Sequence, residues 1–176
     1  MHPAGHILGS AQVRIEHAGR VWVVSGDYKR QPDPTCSAFE PLECNVFVSE
    51  ATFALPVYRW PATADVVADI RRWWSANRER GLSSILFCYA LGKAQRVLAE
   101  LVAFTQEPVY VHGAVGALVD LYRRCGIDVY KRQPTPCATS PARRVPRATR
   151  PPSSQRSCIC ANCRRRRTFR FFWQRA

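Results

Sequence analysis

Few side chains in this sequence have the types and spacing to do chemistry together. His6 lies in the glycine-flanked segment AGHILGSA, and Asp27 closes the segment VWVVSGD. An imidazole nitrogen and a carboxylate oxygen suit a zinc-type ion, which takes such donors at about 2.0 to 2.2 Å. Gly5 and Gly9 would let the loop backbone come close to such an ion. Glu50 ends another apolar segment, NVFVSE, and Lys93 and Arg96 open the stretch after YALG, where helix amides and cationic side chains together suit a phosphate. A solvated basic helix face is the competing reading for that pair. His112 follows the apolar run VYV and is read mainly as a strand-end residue. Cys158, Cys160 and Cys163 have metal-like spacing, but no fourth Cys or His stands beside them to complete a zinc knuckle.

The elements that must position these groups change period along the chain. Val13 and Ile15 alternate with Arg14 and Glu16, Gly19 marks a turn, and Val21 to Val24 form a second short strand ending at Ser25-Gly26-Asp27. A hairpin follows from that spacing. Residues 28–44 are polar and punctuated by proline, so they read as a surface loop, and residues 45–50 as a third strand. Beyond Pro61 the apolar period becomes 3.6: Val66, Val67, Ile70, Trp73 and Trp74 share a helix face, with Thr63 as the expected N-cap and Gly81 as the stop. A strand over 83–90, a helix over 93–104, a strand over 109–111 and a helix through Cys125 capped by Gly126 complete the series. Alternation of this kind predicts an α/β fold with a parallel sheet.

Charge divides the chain in the same way. Residues 1–130 hold 13 Lys and Arg against 13 Asp and Glu, whereas residues 131–176 hold 13 basic side chains and no acid. The last 46 residues also lack glycine and apolar periodicity, so they are expected to be a disordered Arg/Pro-rich tail: a nucleic-acid-binding arm, a merely solvated basic tail or a non-native extension of the reading frame. No apolar run approaches the roughly 18 to 20 residues of a membrane span, and Met1 leads into polar sequence, so a cytoplasmic location and no membrane partner are expected. The widely spaced cysteines of the first 130 residues read as free thiols without disulfide partners.

The ordered blocks AGHILGSA, SGDYK, FVSEATFALPVYRW and YALGKAQRVL resemble the β-CASP nucleases of the metallo-β-lactamase superfamily, over about residues 3–130. They are most like the bacterial DNA-ligase-associated exonucleases, which are often described as relatives of mRNA 3′-end processing factors. The resemblance implies part of a metallo-β-lactamase sheet over 1–60 and part of a Rossmann-like β-CASP cap over 61–130. It makes His6 a ligand of one metal, Asp27 the carboxylate bridging two, and Glu50 the acid that orients a histidine general acid. Two divalent ions, zinc or alternatively manganese, are the implied cofactors. The implied activity is metal-dependent phosphodiester hydrolysis, with DNA as substrate, RNA as the alternative, and a DNA ligase as partner.

The family's His-x-His-x-Asp-His loop and its later histidine motifs have no counterpart in these residues. The chain is therefore expected to be an inactive fragment that binds metal weakly. Two rival readings remain. A non-catalytic binder working through its Arg-rich tail predicts salt-dependent binding that survives His6→Ala; a small-molecule metallohydrolase predicts cleavage of a thioester or lactam but no phosphodiester.

Overall fold

The computed structural model describes residues 1–105 and 109–129 in full, together with the backbone of 157–160 and 171–172. Four strands make the first sheet, in the order β1 (His2–Pro3), β2 (Ala11–His17), β3 (Arg20–Ser25) and β4 (Val46–Val48). The expected hairpin is β2–β3, antiparallel from Gln12 opposite Ser25 to His17 opposite Arg20. Its two-residue turn has positive φ at both Ala18 (47°) and Gly19 (72°), the mirror-image turn that matches the natural strand twist. β4 runs parallel to β3, with Val24 opposite Val48. The C-terminal ends of these two strands, which carry Asp27 and Glu50, therefore emerge at one edge of the sheet.

Helix α1 covers Thr63–Glu79. Its N-cap is Ala62 rather than Thr63, with no side-chain cap, because the Thr63 hydroxyl instead accepts a hydrogen bond from Arg96 Nη2 at 2.6 Å. The stop is at Gly81, as the sequence predicts: φ is 68°, Gly81 N–H donates to Arg78 O and Leu82 N–H to Asn77 O, closing the last turn. Strand β5 (Ser84–Phe87), helix α2 (Lys93–Val102), strand β6 (Val109–Val111) and helix α3 (Gly113–Arg124) follow in the expected order, each within a few residues of its predicted span. Gly126, φ 81°, ends α3 by the same pair of bonds that ends α1.

The second sheet is parallel throughout, and one part of it departs from expectation. Its order is β6, β7 (Ser157–Cys160), β5, β8 (Phe171–Phe172), so two pieces of the segment expected to be a structureless tail are strands, and one lies between β5 and β6. A composition argument weighs side-chain burial. Ladder pairing is a main-chain matter, and two parallel strands with facing unpaired edges accept a third through backbone groups alone. The other residues expected in the tail, Cys163 included, lie outside the described residues.

Most of the buried apolar volume belongs to this second half. Ile70 of α1, Leu86 of β5, Ala94, Val97, Leu98 and Leu101 of α2, Val109 and Val111 of β6, and Val115, Val119 and Tyr122 of α3 form one cluster. From the first half, Leu8 packs against it. Among the described residues no helix is long and apolar enough to cross a membrane, and Cys36, Cys44, Cys88 and Cys125 are free of disulfides.

Candidate metal centre

His6 is held by a tight loop between β1 and β2. Ser10 Oγ accepts hydrogen bonds from the His6 and Ile7 amides at 3.1 and 3.2 Å, Ser10 N donates to Ile7 O, and Ala4 N donates to Ser10 O. Gly5, with φ 70°, lies so close to the next segment that a Cβ there would stand 2.3 Å from Lys29 O and 2.8 Å from Phe39 N. Only glycine admits that approach, and it brings the His6 loop against the residues that follow Asp27.

The result is convergence. His6 Nε2 lies 3.5 Å from Asp27 Oδ2, and both side chains keep contact with solvent, at 38% and 57% exposure. Two donors of one tetrahedral ion, each at about 2.0 to 2.2 Å, stand about 3.3 to 3.6 Å apart. The pair thus fits two positions of a metal's coordination sphere, although no cluster of three or more His, Cys, Asp or Glu suited to a metal occurs among the described residues.

The other residues singled out by sequence are placed as follows. Glu50 sits beside the Asp27 edge, since the Ser49 hydroxyl reaches Gly26 O at 3.5 Å. Its carboxylate accepts hydrogen bonds from the Thr52 hydroxyl and the Thr52 amide, and these hold its pKa below the usual glutamate value. Lys93, the first residue of α2, lies over the Tyr89 ring at 5.4 Å, and burial pushes its amine below the ordinary lysine value. Arg96 points inward. Only 16% exposed, its guanidinium meets Thr63 and lies 3.4 Å from Asp33 Oδ2, so its charge is not presented to a ligand at the surface. His112 is the N-cap of α3: its Nδ1 accepts from the Ala114 amide at 3.2 Å.

Sequence reasoning missed the residues that join the two halves. The Asp33 carboxylate, 4% exposed, accepts hydrogen bonds from Lys29 Nζ, Thr35 Oγ1 and Thr35 N. Burial raises its pKa, but the Lys29 and Thr35 hydrogen bonds and the Lys29 charge outweigh that and hold it below 3.8. Burial, and then the Asp33 charge, push the neighbouring Cys36 thiol up. The buried Tyr122 hydroxyl accepts from the Leu8 amide at 3.3 Å, and Gly92, at the start of α2, lies against Ile7. Lys29 and Asp33 are spaced like a helical pair inside a loop that reads as solvated, a pattern that carries no signal without the fold.

No family model matches the chain. It is 34% identical over 128 residues to a probable DNA ligase of Opitutus terrae, covering 72% of this chain and 12% of that protein. It is 32% identical over 97 residues to endoribonuclease YSH1 of Saccharomyces cerevisiae, covering 54% of this chain and 12% of that one. With transcription termination factor FttA of Methanosarcina mazei it shares 31% over 127 residues, 65% of this chain and 20% of the relative. The chain is a mixed α/β protein related to nucleases. More narrowly, it belongs to the metallo-β-lactamase β-CASP nucleases. It spans 12% to 20% of the length of the relatives named here.

Proposed function

We propose that these residues are part of a metal-dependent nuclease, with 1–60 contributing to its metal domain and 61–130 to its cap, and that the complete enzyme acts on DNA in the cytoplasm as an exonuclease partnered with a ligase. The observation that carries this reading is the 3.5 Å approach of His6 Nε2 to Asp27 Oδ2 at the end of β3. Divalent ions, zinc or manganese, would supply Lewis-acid stabilisation and bring the pKa of the attacking water towards about 7. His6 and Asp27 would hold them. Asp27 is the anionic oxygen donor, the type of group able to bridge two cations, and asparagine cannot replace that charge. Glu50, at the neighbouring strand end, would orient a proton-transferring group. Lys93, at the N-terminus of α2, would meet a backbone phosphate, where its charge and the helix amides act together.

Two donors make an incomplete site, so the 176-residue chain alone is expected to bind zinc weakly and not to turn over. The test has two parts. Zinc titration by calorimetry should show weak binding that disappears in His6→Ala and Asp27→Asn. In a protein carrying this segment together with the remaining ligands, Asp27→Asn should abolish metal-dependent release of nucleotides from labelled single-stranded DNA. Retained cleavage at normal metal occupancy would refute the assignment, and equal or better cleavage of RNA of the same sequence would move the substrate from DNA to RNA.

A further inference from the structure

We propose that Asp33 is a positioning residue, a buried anion that locks the His6 and Asp27 loops onto helices α1 and α2. The linkage stands on side-chain geometry; only its consequence for metal rests on the function proposed above. Asp33 Oδ1 accepts from Thr35 N at 2.9 Å and from Thr35 Oγ1 at 2.6 Å, while Oδ2 is bonded by Lys29 Nζ and lies 3.4 Å from Arg96 Nε. Each cation leads to a different part of the fold.

Lys29 leads to the donor loops. It is two residues after Asp27, its amide donates to Ala4 O at 3.0 Å, and Ala4 is two residues before His6. Arg96 leads to the helices. It belongs to α2, and its Nη2 donates to Thr63 Oγ1, in the first turn of α1. A carboxylate 4% exposed keeps its charge only where partners replace water, and the cations around it are nearly as enclosed, at 16% exposure each. Arg96 Nε finds no hydrogen-bond acceptor among the described residues, and the carboxylate that faces it, 3.4 Å away, is that of Asp33. Removing the carboxylate would therefore release both the loops and the helices, whereas an ordinary stabilising ion pair would lower global stability without singling out the donor loops.

Amide hydrogen exchange on the 15N-labelled, 176-residue chain separates these roles, using wild type, Asp33→Asn and Arg96→Lys. The second variant keeps a cation but loses the planar fork, and it keeps the test open if Asp33→Asn does not fold. Positioning predicts that the Lys29 amide exchanges about tenfold faster in either variant while amides of α3, such as that of Val119, stay within about twofold. Equal acceleration of Lys29 and Val119, or no change at Lys29 in a folded variant, overturns it. A zinc titration followed through the His6 ring nitrogens gives the second readout, where about tenfold more zinc is expected for the same response, as for other groups that orient metal ligands. Unchanged zinc affinity alongside faster Lys29 exchange also overturns positioning. If wild-type His6 does not respond to zinc at all, the metal reading falls, and the exchange result alone decides the role of Asp33.

Discussion

The two sheets treat their apolar residues in opposite ways. In the second, Val109 and Val111 are 2% and 1% exposed because α2 and α3 cover them, and Leu98, Val115, Val119 and Tyr122 are fully enclosed. In the first, Val13, Ile15, Trp22, Val24 and Val48 share one face by strand register, and all remain 39% to 50% exposed. The opposite face is better filled, by Val23 and by Gln12, whose Nε2 donates to Pro3 O and Glu40 O. The difference teaches where stability and chemistry reside. The second half has a closed core and keeps its polar groups for capping and pairing; the first has little core of its own and holds His6 and Asp27 by backbone turns, close glycine contacts and ties to the second half.

That comparison can be broken most sharply at the tie between the halves. Asp33→Ala leaves buried cations unpaired and should loosen the first half by about 3 to 5 kcal/mol at neutral pH while the closed core of the second half keeps its stability. One shared transition shifted as a whole, by tryptophan fluorescence and far-UV circular dichroism alike, would mark an ordinary ion pair instead. The sign of the pH dependence follows from the depressed pKa of Asp33. The stabilisation is present above its unfolded value near 3.8 and is lost as pH falls through the lower folded value, so the wild type should weaken on acidification below about pH 4. Asp33→Asn should lack that component in urea titrations run across the same range.

Core truncation tests the contrast within each half. Leu98→Ala should cost about 2 to 5 kcal/mol, because a fully enclosed side chain leaves a cavity. Ile15→Ala, on the half-exposed face, should cost less than about 1 kcal/mol. Equal losses in chemical denaturation would mean that the first sheet's open face is covered in solution. An effect between these two, about 1 to 3 kcal/mol, is expected for Gly5→Ala, where the new methyl must displace Lys29 O at a positive φ. There the sharper readout is loss of the weak zinc response at His6, since the displaced backbone carries Asp27.

Legibility varied with the range of the interaction. Hydrophobic period and glycine punctuation located the β2–β3 hairpin, the three helices and the stops at Gly81 and Gly126, because these depend on neighbours a few residues away. The cap of α1 was misread: Thr63 has the right type for an N-cap, but its hydroxyl bonds Arg96, 33 residues away. Arg96 was read as a surface cation for the same reason, as nothing local signals that Asp33 meets it. The strands at 157–160 and 171–172 were hidden by a composition that describes side chains, while their pairing uses the backbone.

The amino-acid order alone determined which groups were available: one imidazole in a glycine-flanked loop, one carboxylate at a strand end, and helices with one apolar face. Tertiary structure decided which of them meet. The 3.5 Å approach of His6 to Asp27 and the enclosure of Asp33 between Lys29 and Arg96 depend on packing between segments far apart in the chain. Electrostatic and coordination chemistry act over a few ångströms of space, and distance along the chain does not report that separation.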